Sequence, residues 1–400
     1  MAHIEDRWYK AVEVNGKTTR VPTELCGKGR RYRVRYIAPD GRERSQSFPD
    51  KEKKAAEAFL VSVEADKLRG TYVDPNAGRI LFQDFATEWL NNQTFDPSTR
   101  EVTERRLRRH IFPQLGSRPL SSIRPTHLRE FDRTLQRAGL SSGFRAVTYF
   151  NVATILNAAV DDERIAKNPC HARSAPSPKA DPRKVVPWTH ERFYAVRAGL
   201  RDRFRLTADL GGGCGLRQGE ILAVAAEDFD LTRSVMHVVR QLKIVGGRLV
   251  FALPKGRKTR DVPLAESVAD SVAAHLAQWT PVPVTLPWEE PDGPLVTVEL
   301  MIYGTGKAAL DRNRFNRSVW HPALAHAGVE RNREQGMHAL RHFYASVLLD
   351  AGESIKALSE YLGHSNPGFT LRTYTHLMPS SEERTRKAVN NVLRLVTATA

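Results

Sequence analysis

From Leu340 to Leu348 the apolar residues Leu340, Phe343, Tyr344, Val347 and Leu348 fall at i, i+3, i+4, i+7 and i+8, the stripe of a helix laid on a core. His338 and Arg341, three apart, share one flank of that helix, beside the stripe. Gly352 ends it. A second short helix with Ile355, Leu358 and Leu362 follows, and Gly363 is placed to cap it, so that His364 emerges at a helix end. Ser365 and Pro367 read as the cap and first turn of a third helix, which carries Tyr374. Four polar groups suited to phosphate chemistry thus lie on three consecutive, tightly turned elements.

The same pattern divides the rest of the chain. Over residues 31–36, strict alternation puts Tyr32, Val34 and Tyr36 on one face and Arg31, Arg33 and Arg35 on the other. Asp40-Gly41 signals a turn, residues 42–48 return as a partner strand, and a helix over about 51–68 covers the apolar face until Gly70 stops it. Residues 1–75 are therefore expected to form a three-stranded sheet with one helix. An arginine ribbon of this kind suits the DNA major groove; a solvated face is the plain alternative.

From Ile80 the period becomes helical. Phe82, Phe85, Ala86, Trp89 and Leu90 mark one helix, and Asp96-Pro97 opens a second that carries Arg105, Arg106, Arg108 and Arg109. Leu128, Phe131 and Leu135 mark a third, and residues 149–160 a fourth. The arginine cluster either lies along a phosphate backbone or is an ordinary solvated face. Residues 76–175 thus read as a helical bundle, and the proline-rich stretch 176–187 as an extended linker.

The region 188–385 reads as mainly helical with a small antiparallel sheet, which makes the whole chain a multidomain α+β protein. A helix through Phe204, Leu206 and Leu210 runs into Gly211-Gly212-Gly213-Cys214-Gly215. That run lacks the GxxxxGK[ST] spacing of a nucleotide loop, and its simpler use is a tight bend presenting Arg217, with Glu220 three residues on to steady it. Residues 235–239 and 248–253 flank a Gly246-Gly247 turn, and residues 261–264 supply a further strand. Lys255 is expected at a β-hairpin tip, residues 281–294 as a loop, and 313–326 as a helix. A last helix after Glu383 presents Val389, Val392 and Leu395, and residues 386–400 are candidates to pack on a neighbouring subunit.

Charge narrows the partner. The chain carries 61 Lys plus Arg against 45 Asp plus Glu, a net +16. The excess is +4, +5 and +7 over residues 1–75, 76–175 and 176–400, so it is not lodged in one tail. A polyanion, nucleic acid first, is the expected partner. The three cysteines, Cys26, Cys170 and Cys214, have no paired spacing and suggest neither a disulfide framework nor a zinc site. With no apolar run of membrane length and no signal-peptide core, a cytoplasmic protein is expected.

The segments CGLRQGE around Arg217, PKGRKTRDVPL around Lys255, HALRH at His338 and Arg341, LGHS at His364 and TLRTYTHL at Tyr374 together resemble the tyrosine recombinase family. The layout is similar to phage-type integrases over essentially the full chain: an arm-type DNA-binding domain, a helical SAM-like core-binding domain and a catalytic domain. Cys214 stands where the family commonly has threonine.

The resemblance implies that Tyr374 attacks a DNA phosphodiester, leaving a 3′-phosphotyrosyl link and a free 5′-hydroxyl, with neither ATP nor metal as cofactor. Arg217 and Arg341 would hold the non-bridging oxygens and His364 would add a hydrogen bond. Lys255 would protonate the leaving 5′-oxygen, His338 would take the tyrosine proton, and Glu220 would orient Arg217 or His338. His342 and His376 are read as structural. Implied partners are double-stranded attachment-site DNA, a homotetramer on two duplexes, an excisionase or other directionality factor and a host DNA-bending protein. A catalytically silent DNA-binding regulator and a type IB topoisomerase-like relaxing enzyme are the alternatives.

Overall fold

The computed structural model describes residues 2–14, 17–70, 72–74, 76–181, 184–377, 386, 389 and 390. Contacts divide it into two units, Met1–Asp181 and Pro182–Ala400. The expected helix after Glu383, with Val392 and Leu395, lies largely outside the described residues.

In the first unit, β1 (His3–Asp6), β2 (Tyr9–Val14), β3 (Lys17–Pro22), β4 (Tyr32–Ile37) and β5 (Glu43–Phe48) precede α1 (Lys53–Leu68). β1, β4 and β5 form an antiparallel sheet in that order, with Val34 opposite Ile4 on one side and Gln46 on the other. Tyr32, Val34 and Tyr36 are buried with Phe48, Ala56 and Val63 in a small core, as the alternation predicts. Among the described residues, β2 and β3 pair only with each other.

A second core in this unit is built by α2 (Phe82–Asn91), α3 (Pro97–Arg106), α4 (Pro125–Arg137) and α5 (Ser142–Asp161). The Asp96 carboxylate accepts from the Ser98 backbone N–H at 3.0 Å, and Pro97 occupies the first helical position where its missing N–H costs nothing. α3 continues to Gly116 in a wider winding that carries Pro113, whose ring cannot sit in a regular α-helical turn.

The second unit opens with α6 (His190–Gly199), α7 (Asp202–Gly213) and α8 (Gln218–Ile221). Here the structure corrects the sequence reading. Gly211, Gly212 and Gly213 are the last turn of α7, not a bend. They are glycines because their neighbours leave no room for a Cβ: Leu340 would be met at 2.7 Å from position 211, and the Phe193 ring and Val268 crowd positions 212 and 213. Only Gly215, at φ 64°, turns the chain towards Arg217.

Five short strands follow: β6 (Phe229–Asp230), β7 (Val235–Val238), β8 (Gln241–Val245), β9 (Arg248–Ala252) and β10 (Arg260–Pro263). The Gly246-Gly247 turn joins β8 to β9, whereas β7 pairs with β6 and β10. Lys255 therefore lies in the connection between two sheets, β9 to β10, and not at a hairpin tip.

After α9 (Glu266–Gln278), β11 (Val282–Pro287) and β12 (Leu295–Leu300) pair antiparallel where a loop was expected. Val282 and Val284 point inward and both prolines sit on a two-stranded edge, where a missing N–H is tolerated. α10 (Arg312–Phe315) and α11 (His321–His326) form one nearly continuous helical run through Phe315, Val319, Trp320 and Leu324. The unit closes with α12 (His338–Asp350), α13 (Ile355–Leu362) and α14 (Pro367–Tyr374). Gly363 takes the left-handed conformation at φ 61°, and the α14 cap is Asn366, one residue later than read from sequence. Among the described residues no helix is long and apolar enough to cross a membrane, and no group of His, Cys, Asp and Glu is placed to hold a metal.

Candidate active site

The end of α13 organises the site. The last carbonyls of any helix lack partners within it, and the dipole concentrates negative charge there. In this chain three arginines from three other elements meet those carbonyls. Arg260 of β10 donates Nε to the Tyr361 oxygen at 2.7 Å. Arg217 donates Nη2 to the Leu362 and Gly363 oxygens at 3.1 and 3.2 Å. Arg341 of α12 donates Nη2 to the same Leu362 oxygen and Nη1 to the Gly215 oxygen at 2.8 Å. Two guanidiniums separated by 124 positions thus converge on a single carbonyl. Arg341 is fully buried, and its Nε has no hydrogen-bond partner among the described residues.

Like charges held this close need a counterion, and Glu220 supplies it. Its carboxylate, 2% exposed, accepts from Arg260 Nη1 and Nη2 at 3.0 and 2.7 Å, and from Arg217 Nη1 and backbone N at 2.8 Å each. Burial works to raise its pKa, but the Arg260 hydrogen bonds and the charges of Arg260 and Arg217 outweigh it and hold the group down to about 2. Glu220 steadies Arg217 as read from sequence; its second partner is Arg260, not His338.

Around this cluster the imidazoles are neutral. His364 accepts from or donates to Thr370 Oγ1 at 2.7 Å, and burial together with Arg341 and Arg217 pushes its pKa down to about 3. His338 is exposed as a residue, yet the protein packed round it and the charges of Arg341, Arg217 and Lys255 push it down to about 4. Lys255 is exposed on the β9–β10 connection, and its charge is the smallest of these influences on His338.

Tyr374 is 1% exposed, and its hydroxyl lies 2.7 Å from His342 Nδ1. The sequence reading gave the tyrosine proton to His338 and left His342 structural; in the structure it is the His342 ring that lies against the hydroxyl. His342 lies one helical turn beyond His338 on α12. The two imidazole rings are 4.6 Å apart, edge to face. Burial pushes the phenol up to about 12, with Arg341 pulling the other way. His376 contacts the Val185 carbonyl at 2.7 Å.

The arginines expected to meet DNA fare unequally. Arg31 is bound by Asp6 and by Asp50 at 2.7 Å and lies over the Tyr9 and Tyr32 rings; Arg35 pairs with Glu5 and Glu43. Arg33 has no acidic partner among the described residues. In the bundle, Arg106 turns inward to Asn151 at 2.7 Å and over Phe144, whereas Arg105, Arg108 and Arg109 are exposed, Arg108 with Glu104 beside it.

Residues 198–381 match the phage integrase family, and residues 81–135 match the N-terminal SAM-like domain of phage integrases, together more than half of the chain. The integrase of Mycobacterium phage L5 is 24% identical over 376 residues, covering 91% of this chain and 95% of its own. Among solved structures, the Tn1549 transposon integrase in complex with a circular intermediate DNA superposes with a TM-score of 0.66 at 18% identity, over 78% of this chain and 99% of that one. A lambda integrase tetramer bound to a Holliday junction gives 0.54 at 13% identity, over 84% and 93%. With the arginine-lined site and a buried tyrosine beside it, these likenesses establish that the chain belongs to the phage integrase family of tyrosine recombinases.

Proposed function

We propose that the protein is a site-specific DNA recombinase that integrates or excises a mobile element through a 3′-phosphotyrosyl intermediate. The observation that carries this is the convergence of Arg217 and Arg341 on one carbonyl, in the unit where Tyr374 is held by a histidine. Planar, permanently charged forks match the non-bridging oxygens of a phosphodiester and favour the extra charge of its pentavalent transition state. His338 and His364, held neutral, act as hydrogen-bond donors to those oxygens. Lys255, on the β9–β10 connection, protonates the leaving 5′-oxygen. Glu220 and the carbonyls at the end of α13 keep the guanidiniums from separating.

The remaining assignments follow from the family. Residues 1–75 bind arm-type DNA, residues 76–175 grip the core site with Arg105, Arg108 and Arg109 along the backbone, the linker 176–187 leads to the catalytic domain 188–385, and 386–400 packs on a neighbouring subunit. The working form is a homotetramer on two attachment-site duplexes in the cytoplasm, on nucleoid DNA, with a directionality factor and a host DNA-bending protein as accessory partners. The likeness to a lambda integrase tetramer on a Holliday junction supports the tetramer.

A nicked suicide duplex carrying the element's attachment site tests the reading. The full chain should form a denaturant-resistant protein–DNA adduct that Tyr374→Phe abolishes. Binding without any adduct would instead identify a DNA-binding regulator. An adduct without joined products from two mixed attachment sites would identify a relaxing enzyme.

A further inference from the structure

We propose that His342 is a catalytic residue: it holds the Tyr374 hydroxyl and takes its proton as the phenol attacks the DNA phosphorus. The inference rests on the recombinase reading and deepens it at one atom. Tyr374 is 1% exposed, so bulk water does not reach its hydroxyl to serve as base. The group that does reach it is His342 Nδ1, at 2.7 Å, within the range a proton acceptor needs. α12 presents this ring from one side while the preceding residue, Arg341, points into the guanidinium cluster. One helix therefore carries both the transition-state cation and the nucleophile's partner, and their spacing is fixed by a single peptide unit.

The electrostatics suit a base that must stay unprotonated until substrate arrives. Burial, then His338 and Arg341, push the His342 imidazole down to about 4, so it rests neutral, and in the tautomer that carries its hydrogen on Nε2 the Nδ1 accepts from the phenol. With the phenol pushed up to about 12, the proton does not cross in the resting site. It crosses as the Oη–P bond forms. In that step Oη–P forms and P–O5′ breaks, the phenolic proton passes to His342 Nδ1, and the 5′-oxygen takes a proton from Lys255. On rejoining, the 5′-hydroxyl attacks and gives its proton back to the neutral Lys255 amine, Oη–P breaks, and the His342 imidazolium returns its proton to the departing phenolate. The phosphate's negative charge, gripped by Arg341, stabilises the imidazolium in between, and the His338 ring 4.6 Å away packs against it.

The test uses the full chain and the nicked attachment-site duplex. His342→Gln keeps a hydrogen-bond acceptor for the phenol but no site for a proton. It is expected to bind the duplex normally in a gel shift and to form adduct about 100-fold more slowly. Fluorinated tyrosine at position 374, a more acidic phenol, should then speed the Gln variant about 10-fold while changing the parent little, a rescue that a structural role does not give. A Gln variant that reacts at the parental rate, or one that fluorination does not speed, overturns the proposal. The parent chain forming no adduct overturns the recombinase reading instead. A measurement that needs no His342 variant is 15N resonance of the His342 ring: Nδ1 should report an unprotonated acceptor whose shift moves in Tyr374→Phe, and an unmoved resonance refutes the contact.

Discussion

Glu220→Gln isolates the energetics of the site. The carboxylate accepts four hydrogen bonds at 2.7–3.0 Å from Arg217 and Arg260, and it is almost fully buried. Holding it at about 2 against its ordinary 4.5 favours the ionised folded state by about 3 kcal/mol, an order-of-magnitude figure. A second route gives a similar size: removing one partner of a buried ion pair costs about 3–5 kcal/mol, because the surviving charges stay buried. Arg260 is the survivor at issue, with its side chain 7% exposed.

The sign of the pH dependence follows. Glu220 has a depressed folded-state pKa, so its contribution is fully present above the unfolded value of about 4.5 and is lost as pH falls through about 2. Denaturation is read on the C-terminal unit, which holds Trp188, Trp279, Trp288 and Trp320 of the six tryptophans. The variant should lose about 3 kcal/mol at pH 7 and much less near pH 2, where the parent carboxylate is itself about half protonated. A loss below about 1 kcal/mol at pH 7, or an equal loss at both pH values, would refute the assignment of Glu220 as the counterion of the cluster.

Arg341→Lys should leave DNA binding intact and slow adduct formation at least about 100-fold, since one ammonium cannot span the Gly215 and Leu362 oxygens and a phosphate together. Gly212→Ala, which drives a methyl group into the Phe193 ring, should lower the denaturation midpoint of the C-terminal unit by an amount worth about 1–3 kcal/mol. His338, His342 and His364 all titrate below their ordinary value, so below about pH 6.5 the unfolded chain binds protons that the folded one refuses. Stability should therefore fall as pH drops from about 6.5 towards 4, and His364→Asn should flatten that slope in urea titrations. Arg33→Ala should weaken binding of arm-site DNA in a salt titration without destabilising the N-terminal sheet, whereas Arg31→Ala should destabilise it, since Arg31 ties Asp6 to Asp50.

What the sequence made legible was whatever local periodicity controls. The 3.6-residue stripe fixes that Leu340, Phe343 and Tyr344 face the core, and hence that His338 and Arg341 flank it; a left-handed Gly363 fixes where α13 stops. Strand partners were less legible. Residues 235–238 alternate as well as 241–245 do, and which of them pairs across Gly246-Gly247 is decided by chain distance to β9, while β7 finds β10 across an intervening hairpin. The prolines of β11 hid a strand because a turn signal and an edge strand use the same residue. The helical repeat also puts His342 nearly beneath His338, so spacing alone does not choose between them as the partner of Tyr374. The choice belongs to where the folded chain sets Tyr374, beyond the Gly363 turn and the Asn366 cap, with its hydroxyl against His342. Arg260 was hidden for the same reason. It reads as one polar position in a short strand, and only the folded chain shows that it neutralises Glu220 and seals the end of α13 together with Arg217 and Arg341. Charged residues at local spacings therefore mark single positions, while the contacts that join them, Glu220 with Arg260 and Tyr374 with His342, are made across 40 and 32 residues of sequence.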